Sequence, residues 1–298
     1  MYKLLYTDNV GFDMSDWEKM QICKVYAGTD CIMAITDTGE VLQKTTSPSV
    51  AARTQYWTRI TDIALSKWAP GVAIGLVSDG TCMISKRAVR EHDYEGRFDF
   101  INNQVKAWTD IVQVAVSDAF FGVDRAGNVH YVSLSRSGTD DYREVIQWKN
   151  VKKIVTGNQN SVFAITREGN VLAEGASCRR GPHGDISGKL SEIKGVVDIF
   201  PTGSGCEEIL MLLNDGKIVN LHGDVIYTLT MSLEGMDKYL EGTFYYYILA
   251  NDGGNRLVDL CSGGHEILNP HYGKIVSFAA GDIHYGKPFT IAVAKMDD

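Results

Sequence analysis

No stretch of the sequence is apolar for long enough to span a membrane. The amino terminus, MYKLLYTDNV, has a lysine but no apolar core running into a small-residue cleavage site, so no secretory signal is predicted. None of the six cysteines (Cys23, Cys31, Cys82, Cys178, Cys206 and Cys261) stands in a CxxC pair, which argues against a zinc ribbon. Reduced thiols in a cytoplasmic protein are the plain expectation. Positive charge is in deficit. A net charge of −8 and a pI near 5.4 argue against nucleic-acid binding through the overall field. There is no phosphate-cradling glycine loop, no nucleophile elbow and no HExxH. The neighbouring carboxylates Asp140-Asp141 and Glu207-Glu208 would face opposite ways on a strand, and His265, Glu266 and His271 match no metal spacing. No cofactor and no metal site is predicted. Proline is scarce, six residues against thirty glycines, a balance suited to many tight turns. Hydrophobic content of 44% with 22% charged residues is that of an ordinary soluble globular chain.

What is present is a repeat. Ser161–Leu172 (SVFAITREGNVL) reappears as CIMAITDTGEVL, VAIGLVSDGTCM, AFFGVDRAGNVH and EILMLLNDGKIV, and more weakly around Tyr245–Leu257. The turn glycines Gly39, Gly80, Gly127, Gly169, Gly216 and Gly253 lie 37 to 47 residues apart by subtraction. Such a period marks a repeat architecture. Asp79-Gly80, Asp215-Gly216 and Asp252-Gly253 are hairpin signals, because a two-residue turn needs the positive φ that glycine adopts without a Cβ clash. Four and six residues before each glycine the side chains are large and apolar, as at Met33/Ile35 and Phe163/Ile165. An i, i+2 pair shares one face of a strand. Between them Ala34, Gly75, Gly122 and Ala164 are small, so the other face must admit a close neighbour.

A further element precedes each hairpin. Trp57, Trp108 and Trp148 open it, followed three and six residues on by Ile60/Ile63, Ile111/Val114 and Val151/Ile154; Ile193, Leu233 and Tyr272 open other copies, and Trp17 the first. Spacing of three suggests a helix, but the runs are short and β-branched, which favours strands. The last copy, Lys274–Asp298, stops where its turn glycine would come, and Tyr2–Tyr6 supplies an orphan strand. Joined, they make a seventh unit and close a ring without exposed sheet edges. The expected fold is all-β: a seven-bladed β-propeller of antiparallel blades, one domain over residues 1–298, its terminal strands sharing one blade.

The pattern W-x-x-I-x-x-I, then A-G or T-G, then A-I-T-x-x-G-x-V resembles the repeat of the regulator of chromosome condensation family. Its carriers are Trp57–Ile63, Ala27-Gly28, Thr156-Gly157, Ala280-Gly281 and the hairpins Ala34–Val41 and Ala164–Val171. The resemblance spans essentially the whole chain and implies four-stranded blades, the fourth strand resting on the resemblance alone. The chain departs from it after the second hairpin strand, where the family's W-G-x-N and G-Q-L-G segments are replaced by QKTTSP, SKRAVR, YVSLSR and AEGASC. Nucleotide exchange on a small GTPase belongs to one branch of the family, and no residue here carries it over.

Function is expected in the long insertions. Lys86–Asn103 holds Arg87, Arg90 and Tyr94; Ser177–Ser191 holds Arg179, Arg180 and His183. Both are basic on an acidic chain and would dock an acidic partner. Phe244–Tyr247 is an aromatic run, with core packing expected at Tyr247. The reading is a monomeric, non-enzymatic protein-interaction platform using one propeller face, its partner another protein rather than nucleic acid or membrane. The alternatives are a hydrolase or lyase with a site in the axial funnel, which needs His, Asp or Glu converging there, and a regulator of a small GTPase.

Overall fold

The computed structural model describes all residues except 68, 86–94, 135–141, 158–160, 176–177, 179–185, 203–207, 230–232, 234–239, 243–247, 253–255, 262–264, 271–272, 284–286 and 297–298. The chain folds into seven antiparallel sheets, each built from one repeat. After strand β1 (Tyr2–Tyr6), the first sheet takes β2 (Ile22–Gly28), β3 (Cys31–Thr36) and β4 (Val41–Thr45). The second takes β5 (Ile60–Leu65), β6 (Ala73–Val77) and β7 (Cys82–Ile84), and the third β8 (Ile111–Val116), β9 (Ala119–Asp124) and β10 (Val129–Ser133). The fourth takes β11 (Val151–Thr156), β12 (Val162–Thr166) and β13 (Val171–Glu174). The fifth has four strands, β14 (Val196–Thr202), β15 (Glu208–Leu213), β16 (Lys217–Val219) and β17 (Val225–Thr228). So does the sixth, with β18 (Leu240–Gly242), β19 (Ile248–Asp252), β20 (Arg256–Asp259) and β21 (His265–Leu268). In the seventh, β22 (Lys274–Ile283) and β23 (Lys287–Lys295) are joined by β1, which pairs Tyr2 with Lys295 through Tyr6 with Ile291. The chain termini share a sheet, as the truncated repeats require.

The core lies between sheets. Strand β3 shows how. Met33 and Ile35 pack on Ile60, Ile63 and Leu65 of the second sheet, while Ile32 and Ala34 pack on Ile291 and Val293 of the seventh. Similar clusters join the second sheet to the third, the third to the fourth, and so on to the sixth and seventh. Strands covered on both faces are apolar throughout, hence the uninterrupted runs.

The small position has a specific occupant beside it. A Cβ on Gly75 would stand 2.9 Å from the Trp57 ring and 3.0 Å from Ile60 Cδ1; one on Gly122 would stand 3.0 Å from Trp108. Each tryptophan lies just before its first strand, not within it, and fills the hollow that the small residue leaves. The spacing of three has an equally local cause. In six sheets the register of the first strand shifts by one residue, between Ile60 and Asp62 for instance, so that two residues face one on the partner. Such a β-bulge turns Ile60 and Ile63 to the same side, which ordinary alternation forbids.

The fourth strands do not follow the resemblance. Among the described residues only the fifth and sixth sheets have one. Among the described residues that follow the first four sheets there are helical segments. Helix α1 (Glu95–Lys106) lays Ile101 and Val105, one turn apart, against Ile84 and Trp108. Helix α2 (Ser187–Glu192) buries Leu190 beside Cys178 and Ile186. A 3-10 turn at Arg143–Gln147 buries Val145. No helix among the described residues is long and apolar enough to cross a membrane.

Candidate functional site

The antiparallel connectivity divides the molecule into two ends. At one lie the loops between first and second strands, and the chain leaves each third strand there too: Ser85 donates its main-chain N–H to Ala73 O at 2.9 Å, and Leu134 donates to Asp118 O at 2.8 Å. The two basic insertions leave from this loop end. Their six singled-out side chains, Arg87, Arg90, Tyr94, Arg179, Arg180 and His183, lie outside the described residues, as does Phe244–Tyr247. Of the first insertion, the part from Glu95 onward is helix α1, and its Phe100 is 56% exposed on the side away from Ile101 and Val105.

The loop end is closed by glycine. A Cβ on Gly28 would stand 2.9 Å from Ser66 O of the second sheet, and one on Gly281 would stand 2.8 Å from Gly28 O of the first. These are glycines of the A-G motif. Thr29 and Asp282 form a parallel bridge here, and Asp30 donates its N–H to Asp282 O at 2.9 Å.

The opposite, hairpin end carries the turn glycines. Gly39, Gly80, Gly127, Gly169 and Gly216 have positive φ, and several also touch the next sheet; Gly253 lies outside the described residues. The N–H of Ile111 reaches Gly80 O at 2.9 Å, that of Val151 reaches Gly127 O at 3.1 Å, and that of Val196 reaches Gly169 O at 3.1 Å. A Cβ on Gly169 would stand 3.0 Å from Gly195 Cα.

Between the two ends, the first strands contact one another in succession and make the inner tier. The residue after each bulge is polar and reaches the neighbouring sheet. Lys153 Nζ pairs with Asp198 Oδ1 at 2.7 Å, and the other Asp198 oxygen accepts the Leu240 N–H at 3.0 Å, so one buried carboxylate ties the fourth, fifth and sixth sheets. Tyr26 donates its hydroxyl to Asp62 at 2.6 Å; burial, then the Asp62 charge, push that hydroxyl well above the ordinary tyrosine range. Gln113 donates to Ile154 O at 2.9 Å and accepts from Ile154 N at 2.7 Å. Ser277 Oγ accepts the Val25 N–H at 3.1 Å. Sequence reasoning missed this belt. Lys24, Asp62, Gln113, Lys153, Asp198 and Ser277 share a position but no chemistry, so nothing in the repeat marks them.

The bulge residues themselves are Cys23, Thr61, Val112, Lys152, Val197 and Val276, a largely neutral set without a carboxylate or imidazole. Among the described residues no group of three or more His, Cys, Asp or Glu is placed to hold a metal. His130 does approach a carboxylate, Asp124, at 3.2 Å, but Asn128 holds the same oxygens at 2.8 and 2.9 Å in the third-sheet hairpin.

The chain superposes on Prp20p of Saccharomyces cerevisiae, a protein studied for its binding to Gsp1p and histones, with a TM-score of 0.55 over 96% of this chain and 84% of that one, at 14% identity. Against yeast RCC1 (Prp20) in its complex with Kap60 the TM-score is 0.57, covering 96% and 82% at 14% identity. The fold is an RCC1-like propeller. Human WBSCR16 also matches, with a TM-score of 0.45 at 13% identity over 94% of this chain and 74% of that one. No protein-family model matches the chain, and no curated protein sequence does.

Proposed function

We propose that this RCC1-like propeller is a non-enzymatic platform that holds another protein on one face, with its seven sheets closed into a ring by the shared terminal sheet. The observation that carries the reading is the inner tier. Its buried carboxylate, Asp198, and its half-buried Asp62 are bound to groups of neighbouring sheets, which suits them to fixing a surface rather than to moving protons. A preorganised surface loses little entropy on binding. The solved neighbours fit the same reading, since Prp20p binds Gsp1p and histones and yeast RCC1 was captured with Kap60.

On this proposal Arg87, Arg90, Tyr94, Arg179, Arg180 and His183 dock the partner at the loop end. The free thiols of Cys23, Cys31, Cys82, Cys178 and Cys261 suit a reducing, cytoplasmic setting. The test is affinity purification from extract of the source cell, beside a variant with Arg87, Arg90, Arg179 and Arg180 changed to glutamate. A protein captured by the wild type and lost from the variant supports the reading; capture of nothing above background removes it. The narrower reading, regulation of a small GTPase, would show as faster nucleotide release from the captured protein.

A further inference from the structure

On the hairpin end of the third to fifth sheets, five exposed cations stand together: Arg125, Lys149, Lys152, Arg167 and Lys194. The hairpin contacts place them side by side. Arg167 Nη2 donates to Arg125 O at 2.8 Å and its other head nitrogen to Asn150 Oδ1 at 3.4 Å. Lys149 Nζ donates to Asn128 Oδ1 at 2.9 Å, and one sheet further Lys194 Nζ repeats this on Asn170 Oδ1 at 2.9 Å. Lys152 follows Val151, whose N–H bonds Gly127 in the same hairpin as Arg125.

The acceptors decide what these cations are for. Elsewhere a surface cation meets a carboxylate: Arg59 with Asp79 at 2.7 Å, Lys44 with Asp16 at 2.7 Å. Here Lys149, Arg167 and Lys194 are held by neutral amide oxygens, which fix the heads without neutralising them. Carboxylates share the region too: Glu168 accepts from Asn150, Asp124 from Asn128 and His130, Asp215 pairs with Lys217 in the fifth-sheet hairpin, and Asp110 is exposed in the turn before β8. Arg125, Lys149, Lys152, Arg167 and Lys194 outnumber the carboxylates left unpaired beside them, which makes this face locally positive on a chain of net charge −8 and favours an anionic occupant.

We infer that the hairpin end of the third, fourth and fifth sheets is a second docking surface, one that takes an acidic segment of a partner protein. It lies at the opposite end from the basic insertions, so it goes beyond the loop-end reading. The test uses the full chain and a short fluorescein-labelled peptide of glutamates followed by fluorescence anisotropy. The peptide binds, more weakly as ionic strength rises. Arg125→Glu with Lys152→Glu weakens it by about tenfold or more, and the milder pair Arg167→Gln with Lys194→Gln weakens it in the same direction. Lys287→Glu, at the loop end of the seventh sheet, leaves it unchanged. Melting curves of each variant confirm that the fold is kept. No binding by the wild type, or binding unchanged from the wild type in both paired variants, overturns the inference. A single-stranded oligonucleotide bound as tightly, and lost in the same variants, overturns the assignment to a protein. A cellular partner whose capture survives Arg125→Glu with Lys152→Glu while being lost with the loop-end arginines removes this surface and leaves the platform reading standing.

Discussion

Two glycines with nearly the same backbone separate two effects that the repeat confounds. Gly169 has φ +76° and a Cβ there would meet main chain, 3.0 Å from Gly195 Cα and 3.1 Å from Val196 N. Gly223 has φ +83° and nothing within 4 Å. Gly223→Ala therefore carries only the left-handed penalty of an L residue, about 1–2 kcal/mol. Gly169→Ala carries the same penalty and also forces the fourth and fifth sheets apart, because backbone cannot rotate out of the way; overpacking of this kind costs about 1–3 kcal/mol more. Urea unfolding of the two variants, with midpoints and slopes compared, gives the difference directly. Gly169→Ala should be the less stable by that second amount. Equal losses would show that the turn glycine serves its hairpin alone and that the sheets do not approach as described.

Removing the Asp198 carboxylate by Asp198→Ala breaks its ion pair with Lys153 and takes the acceptor from the buried Leu240 N–H, and should cost about 1–3 kcal/mol in denaturant unfolding; no measurable loss would remove the belt from the account of stability. Brief alkylation at neutral pH should modify exposed Cys261 and spare Cys31, Cys82 and Cys178, since burial pushes the Cys82 thiol up to about 12 and the others are equally enclosed; peptide mapping by mass spectrometry reads this out. Burial alone would raise the Asp124 carboxyl, yet hydrogen bonds from Asn128 and His130 hold it below its ordinary range. A depressed folded value means stability that is present above the unfolded value of about 3.9 and lost as pH falls through the folded one. The stability gap between wild type and Asp124→Asn should accordingly shrink below about pH 4, whereas a gap constant with pH would contradict it.

The sequence showed the sheets far better than the contacts between them. Turn glycines and the i, i+2 apolar pairs are local rules, so Ile35-to-Gly39 and Ile165-to-Gly169 could be read without neighbours. Gly75 and Gly122 announced a close approach, though only the fold shows that Trp57 and Trp108 make it. The W-x-x-I-x-x-I spacing looked helical because a bulge leaves no mark on composition; two residues simply face one. Fourth strands were carried over from the family, and helix α1 was legible only as the i, i+4 pair Ile101 and Val105. The inter-sheet belt was illegible for a different reason. Asp198 finds Lys153 and Leu240 more than forty residues away in either direction, and each sheet solves the same junction with different chemistry. The basic insertions were legible as charge but lie outside the described residues, while the cation row on the hairpin end needed the fold to bring Arg125 beside Arg167.

A rigid face depends on the seventh sheet meeting the first, a junction made by β22 and β23 against β2 and β3, and strand β1 completes the seventh sheet as its third strand. Its Leu4 and Tyr6 pack into the cluster shared with the first sheet and its Leu5 into the cluster shared with the sixth, while Met296 donates its N–H to Met1 O at 2.9 Å. Deleting residues 1–6 and recording the melting temperature across protein concentrations tests the closure most directly. Four partly buried side chains, Tyr2, Leu4, Leu5 and Tyr6, are worth about 1 kcal/mol each, and at about 2–4 °C per kcal/mol the midpoint should fall by about 8–16 °C. The bared edge of β23 should also make the protein associate as concentration rises. An unchanged midpoint in a species that stays monomeric would contradict the account, because strand β1 would then add nothing to the sheet that the two chain ends share.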